Sequence, residues 1–338
     1  MAQEKPIKVY RGEYLESTHE FHAVIVDKNG KRLFYYGNPE RPTFARSSMK
    51  PFQAIPLVET GAAAHFNYQP SELSISCASH SGESFHRETV YGILKKIGLE
   101  ESALQCGTHP PRNDDDYRAL LQAGQSLTPV FSNCSGKHSG MLATAVYMKE
   151  DPATYREVSH PVQQRIIKAI SEICDTPIAD IELGVDGCGV PVHRLPLEKT
   201  AFGYAQLAAG ESSSHSEHNE ALKTLRDAMM ERPEMVGGTD RFDTDFMAMF
   251  PGRVVSKGGA EGVQCLGLVK EGIGITIKIE DGNPRALSAV TLKILEDLGF
   301  DTTVQDQAVY NKYRFPAVEN MRKDRIGRIE VDFELKKG

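Results

Sequence analysis

The residues best suited to chemistry sit in short polar clusters. Near the N-terminus, Arg46-Ser47-Ser48-Met49-Lys50-Pro51 sets a hydroxyl and an amine three positions apart. A helix starting near Ser47 puts both on one face, so the Lys50 amine reaches the Ser47 hydroxyl. A lysine acts as a base only when neutral, a state that burial or a neighbouring cation favours by lowering its pKa, and the serine then becomes a nucleophile. Pro51 is tolerated there, because a first-turn residue has no intrahelical acceptor for the N–H that proline lacks. A serine cap beside a solvated lysine has the same spacing, so this motif does not establish catalysis by itself.

Three further clusters have the same character. In Leu73-Ser74-Ile75-Ser76-Cys77-Ala78-Ser79-His80-Ser81-Gly82-Glu83 a β-prone run meets a Ser/Gly-rich turn. Ser79 is thereby expected at a strand-to-helix junction, where hydroxyls face ligands, or else simply caps a turn. The segments Asn133-Cys134-Ser135-Gly136-Lys137-His138 and Asp186-Gly187-Cys188-Gly189 surround thiols, a lysine and an acid with small residues that let backbones approach closely. Cys134 and Cys188 suit a soft metal such as zinc, although neither loop has a CxxC knuckle and an inert buried thiol is the alternative. The Lys137 loop is not a phosphate loop, because Phe131 stands where the first glycine of that pattern belongs. Finally, Val254-Val255-Ser256-Lys257-Gly258-Gly259 is read as a flexible loop at a sheet edge, where Lys257 is either an ordinary solvated charge or, as its flanking valines and glycines favour, points into a cleft.

The elements that position these clusters follow from periodicity. Phe21 to Val26 and Arg32 to Tyr36 are β-prone and flank Asn29-Gly30, which predicts a hairpin with a type I′ turn. Ile273, Ile275, Ile277 and Ile279 alternate with Gly274, Thr276, Lys278 and Glu280, with Val263 to Val269 as hairpin partner, and Ile329 to Leu335 repeats the alternation. Such strands have one buried face and suit an antiparallel or mixed sheet. Between them, Val90, Ile93, Leu94 and Ile97 predict a helix ending at Gly98, Leu222, Leu225 and Met229 one capped by Asn219, and Asn283-Pro284 opens a third that buries Leu287 to Leu298. Gly210 to His218, rich in serine and histidine, reads as a mobile surface loop. The expected architecture is α+β in a single catalytic unit, residues 1–338. Its sheet comes from about residues 1–45 and 255–338, and its helix-rich part from about 46–254.

Composition excludes several classes. The 338 residues carry 39 Lys+Arg against 46 Asp+Glu, a net charge of −7, with no long basic run, so nucleic acid is not an expected partner. Six cysteines are too sparse for a disulfide scaffold. The N-terminus is not followed by a signal-type apolar segment and no 18 apolar residues run uninterrupted, which points to a cytoplasmic protein with reduced thiols and no membrane span.

Ser-x-x-K early, polar Ser/Asn loops in the middle and Lys-x-Gly late is the order of serine penicillin-recognising enzymes, but glycine replaces the threonine after Lys257. Taken together, residues 46–51, 77–83, 133–142, 184–191 and 256–262 resemble the rhizobial-type, or class 3, L-asparaginase family, also called the asparaginase II family. The resemblance implies hydrolysis of L-asparagine to L-aspartate and ammonia by a homodimer, on a fold similar to serine β-lactamases and serine glutaminases. It further implies Ser47 with Lys50 and Ser79 with Lys257 as two Ser–Lys tandems, and a zinc ion held by Cys134, Lys137 and Cys188 with water or substrate as fourth ligand. Arg46, His138 and Asp186 would line the substrate pocket. Lysine is a rare zinc ligand, because it must first lose its proton. A glutaminase with a longer pocket, or a metal- or ligand-binding protein without catalysis, are the alternatives; the latter has no need of Lys50 and Lys257.

Overall fold

The computed structural model describes residues 5–338. The two ends of the chain meet in a six-stranded antiparallel sheet. Its strands run in the order Lys336–Lys337, Arg32–Tyr36, Phe21–Asp27, Ile273–Ile279, Val263–Leu268 and Val254–Gly259. Helix Leu197–Ala209 covers one face and helix Leu287–Asp297 packs on the other. Both faces are therefore dry, and the expectation of one buried face fails at Gly274, Thr276 and Lys278, which are buried as well. Gly274 is small because a Cβ there would lie 1.9 Å from the Ala201 carbonyl oxygen of the covering helix. A second sheet, in the order Ala317–Glu319, Arg325–Val331, Ile7–Arg11, Tyr14–His19, again joins the two termini.

Most of the chain between these strands is helical. A three-stranded sheet of Pro42–Phe44, Pro191–Pro196 and Glu182–Val185 is the exception, and it ties the first motif to the Asp186 loop. Helix Ser135–Tyr147 is buried over most of its length and lies against helix Pro70–Ser76 so closely that a Cβ at Gly136 would sit 2.3 Å from the Ile75 carbonyl oxygen. That contact sets the Cys134/Lys137 segment beside the Ser79 segment.

Several local expectations are corrected. Leu73 to Ser76 is helical and not extended: Pro70 starts the helix, and Gln69 and Glu72 form a reciprocal capping box. Ser79 thus joins two helices. Lys257 lies within the edge strand Val254–Gly259 and not on a flexible loop. The first hairpin turns through Lys28, Asn29 and Gly30, with only the glycine at positive φ (83°), so it is not the two-residue type I′ turn. The Asp27 carboxylate favours this wider turn by accepting from the Asn29 and Lys31 N–H groups. The last alternating segment is strand only as far as Val331, while Phe333 leaves it to pack against Phe21 and Tyr36. Asn219 begins its helix but accepts from the Ser212 N–H, and buried His218 bonds Glu59 and Glu172, so the serine-rich loop is tied to the helices beneath it. The helices ending at Gly98 and opened by the Asn283 cap are found at Ser84–Ile97 and Leu287–Asp297, the second after a 3₁₀ turn at Pro284–Ala286. Among the described residues no helix is long and apolar enough to cross a membrane.

Candidate active site

The first motif opens as a 3₁₀ turn, Arg46–Met49, and continues into helix Lys50–Gln53. The turn is fixed from several sides. The Ala45 N–H donates to the His193 carbonyl (3.2 Å), the Ser48 hydroxyl to the Ala45 carbonyl (2.6 Å), and the Tyr204 hydroxyl to the Ser48 carbonyl (2.6 Å). Arg46 is held at φ 53°, a conformation uncommon for a side chain with a Cβ and one that accumulates at functional sites. Ser47 faces a cleft of about 450 Å³ that Ser79, Asn133 and Lys257 also line.

Lys50 does not lie on that surface. Its side chain is 0% exposed and runs inward, where the amine donates to the Ala78 carbonyl (2.5 Å) and meets the Ser79 hydroxyl at 2.9 Å. The hydroxyl in direct contact with Lys50 is therefore Ser79, across the fold, and not the expected neighbour Ser47. Burial pushes the Lys50 amine below the usual lysine range, and the charge of Lys137 adds to this, while Cys134 and Cys188 oppose it.

Lys257, 1% exposed, enters from the edge strand; its amine donates to the Gly258 carbonyl (2.6 Å) and stands 3.8 Å from Asp243. Burial lowers its pKa to about 7, against the raising effect of Asp243 and with a further lowering from Lys50. Asp243 was not found by sequence reasoning. It is clamped by the Ser256 hydroxyl (2.7 Å), the Gly258 N–H (2.8 Å) and the Gln264 side-chain amide (2.9 Å). In Arg241-Phe242-Asp243-Thr244-Asp245 nothing distinguishes it from Asp245, which instead accepts from the Tyr313 hydroxyl (2.6 Å).

A second cluster lies behind the serines. The Lys137 amine is 3.1 Å from the Cys188 sulfur, and all three of Cys134, Lys137 and Cys188 are buried. A hydrogen bond from Cys188 favours a thiolate at Cys134 against the cost of burying it, helped by Lys50 and Lys137. Two sulfurs and one amine converging in this way form a borderline-soft donor set that fits zinc. The other thiols are inert: burial raises Cys77 and Cys174 to about 12 and Cys106 and Cys265 to about 11. Asp186 accepts from Arg46 (2.9 Å) and from the Gly187 N–H (2.9 Å), and Gly189, at φ 85°, closes the turn that carries Cys188. Burial would raise the Asp186 carboxyl, but Lys137, Gly187 and Arg46 together hold it below the usual range.

Buried His138 contacts the Tyr155 hydroxyl through Nδ1 (2.5 Å). The same Tyr155 hydroxyl accepts from the Gln105 N–H (2.9 Å). The His138 Nε2 has no partner among the described residues. Fully buried His193, also unforeseen, has neither ring nitrogen bonded. Burial and the charge of Lys137 lower its pKa to about 4.

The family model described as L-asparaginase II matches residues 7–331. The chain belongs to the L-asparaginase II family. Membership places it among amidohydrolases. No curated protein matches it significantly. Solved structures overlap it in part. The protein Mglu in its native form is 15% identical at a TM-score of 0.48, over 85% of this chain and 66% of that one. A putative β-lactamase from Bacteroides dorei is 13% identical at 0.45, over 82% of this chain and 93% of that one. A Bacillus glutaminase is 12% identical at 0.39, over 83% and 91%. The chain thus spans slightly less than two thirds of Mglu.

An amine with a pKa of about 7 changes charge within the working range of an enzyme. If Lys257 must be neutral, kcat/KM rises with pH through an ionisation near that value. Asp243→Asn removes the anion that favours the ammonium and moves this limb to lower pH. A profile that stays flat between about pH 6 and 9, or a limb unmoved in the variant, contradicts the assignment.

Proposed function

We propose that the protein hydrolyses the side-chain amide of L-asparagine through an acyl-enzyme on Ser47. The observation that carries this reading is the unpartnered Ser47 hydroxyl at the surface of a cleft that Ser79 and Lys257 share, with the buried Lys50 amine behind it. A carboxamide is a poor electrophile, so its hydrolysis needs an activated hydroxyl, donors for the developing oxyanion and a proton for the departing nitrogen. Ser47 Oγ has no hydrogen-bond partner among the described residues and lies at the cleft surface, where a substrate carbonyl can approach. Lys50, whose proton affinity burial lowers, takes the serine proton. Ser79, already bonded to Lys50, passes a proton onward together with Lys257 to the leaving nitrogen.

The direct Lys50–Ser79 contact favours a second reading, in which Ser79 is the nucleophile and Ser47 the relay. In both, the α-ammonium and α-carboxylate of asparagine are matched by Asp186 and Arg46, and the unpartnered His138 Nε2 is left to bond substrate. Cys134, Lys137 and Cys188 would hold zinc, which supplies a Lewis acid that orients substrate. A cytoplasmic homodimer completes the reading: a reducing compartment preserves the thiolates.

Ammonia release tests this directly. Wild-type protein is expected to act on asparagine about 10 to 200-fold better than on glutamine, the discrimination that one methylene allows. A glutamine preference makes it a glutaminase, and no release from either makes it a binding protein. Rapid-quench mass spectrometry is expected to show a mass increase of an aspartyl group in wild type and Ser79→Ala and none in Ser47→Ala; an adduct that survives Ser47→Ala moves the nucleophile to Ser79. Chelation of zinc is expected to raise KM and leave kcat unchanged, and a lost kcat contradicts the orienting role.

A further inference from the structure

Hydrolysis of asparagine releases ammonia, a molecule the size of water, whose share of liquid volume is about 30 Å³. The cleft in front of Ser47 and Ser79 measures about 450 Å³, within the range that takes ligands far larger than ammonia. Arg46 and Asp186, matched above to the α-groups, are not part of its lining, whereas both serines are. The open volume therefore lies on the leaving-group side of the reacting carbonyl.

That side carries two arginines with no acidic partner. Arg112 and Arg241 both line the cleft, and neither forms an ion pair or a side-chain hydrogen bond with any described residue. Each is anchored through its backbone. The Arg112 N–H donates to the Ser81 carbonyl (3.0 Å), and Arg241 stands at the start of helix Phe242–Met249. The acids of the lining are engaged elsewhere. Asp243 accepts from Ser256, Gly258 and Gln264 beside Lys257, and Glu261 sits at the Gly282 rim in the field of Lys278. Burial and the neighbouring Arg241 charge together destabilise the Arg112 cation, which an anion placed between the two relieves. Phe242, Pro284 and Leu287 add apolar wall.

Resting on the asparaginase reading above, we propose that the same site hydrolyses β-amides of aspartate whose leaving amine is an amino acid, and that Arg112 and Arg241 bind the carboxylate of that leaving amino acid. Two guanidiniums suit a carboxylate, since each offers parallel N–H donors in a planar fork. The step is the one already described. The serine oxygen adds to the β-carbonyl, the C–N bond breaks and the amino acid leaves with the transferred proton. Water then cleaves the ester and restores the serine, with no redox partner.

The test compares β-aspartyl-glycine with β-aspartyl-glycinamide, which lacks only the carboxylate charge, alongside asparagine. Wild-type protein is expected to cleave β-aspartyl-glycine with kcat/KM at least about tenfold above the amide at low salt, a preference that shrinks as salt screens the charges. In Arg112→Gln and Arg241→Gln the ratio of the two peptides falls towards one, and in Arg112→Lys and Arg241→Lys it lies between. Because the ratio is read within each protein, it is independent of how much of a variant folds. Cleavage of asparagine without cleavage of β-aspartyl-glycine overturns the proposal, and so does an equal rate on both peptides in wild type or a ratio unchanged in all four variants. Failure on asparagine itself would instead overturn the underlying asparaginase reading, and the proposal with it.

Discussion

Two lysine amines buried in the middle of the protein constrain everything around them. An ammonium taken from water into a protein interior is so costly that the group sheds its proton unless counter-charges hold it. Lys50 and Lys257 meet this constraint differently. Lys50 has a carbonyl, a hydroxyl and the nearby thiols, and its proton affinity falls. Lys257 has the Asp243 carboxylate at 3.8 Å, which stops the fall at about 7. One fold thus supplies an amine of lowered proton affinity and a second one poised between charge states, groups suited to general acid–base chemistry at neutral pH.

The thiol cluster depends on the same interior. Lys50 feels the charges of Cys134, Lys137 and Cys188, so the thiol cluster and the amine behind the serines are electrically one unit. The contact of Gly136 with the Ile75 carbonyl brings the two halves together, since a side chain there would force helix Ser135–Tyr147 away from the segment that carries Ser79. Small residues in the Cys134 motif therefore serve packing as much as ligand access.

Much of this was legible in the sequence, and the exceptions have physical causes. Hairpins and helix ends were readable because Asn283, Pro284, Gly98 and the alternating isoleucines act through local rules. Leu73 to Ser76 was misread because a short apolar–serine alternation has strand period, while the signals that decide for helix, Pro70 and the Gln69/Glu72 box, lie upstream. Each site motif reaches the site or the cluster behind it, but the pairing within it was not local. Ser-x-x-Lys spacing predicts a neighbour contact, whereas the Lys50 chain follows the core to Ala78 and Ser79. Asp243, Arg112 and Arg241 carried no usable signal, because each is an ordinary charged residue until the edge strand Val254–Gly259 and the loops facing it close around the cleft.

The central claim is that Lys50 works as an uncharged base. Lys50→Arg tests it most directly, because a guanidinium retains hydrogen-bond donors but is always charged and cannot give up its proton. Ammonia release from asparagine in this variant, with folding checked by near-ultraviolet circular dichroism, is predicted to fall by about 10² to 10⁴-fold, the contribution of a positioned general base. A correctly folded Lys50→Arg protein that keeps its turnover within about threefold of wild type would contradict the account.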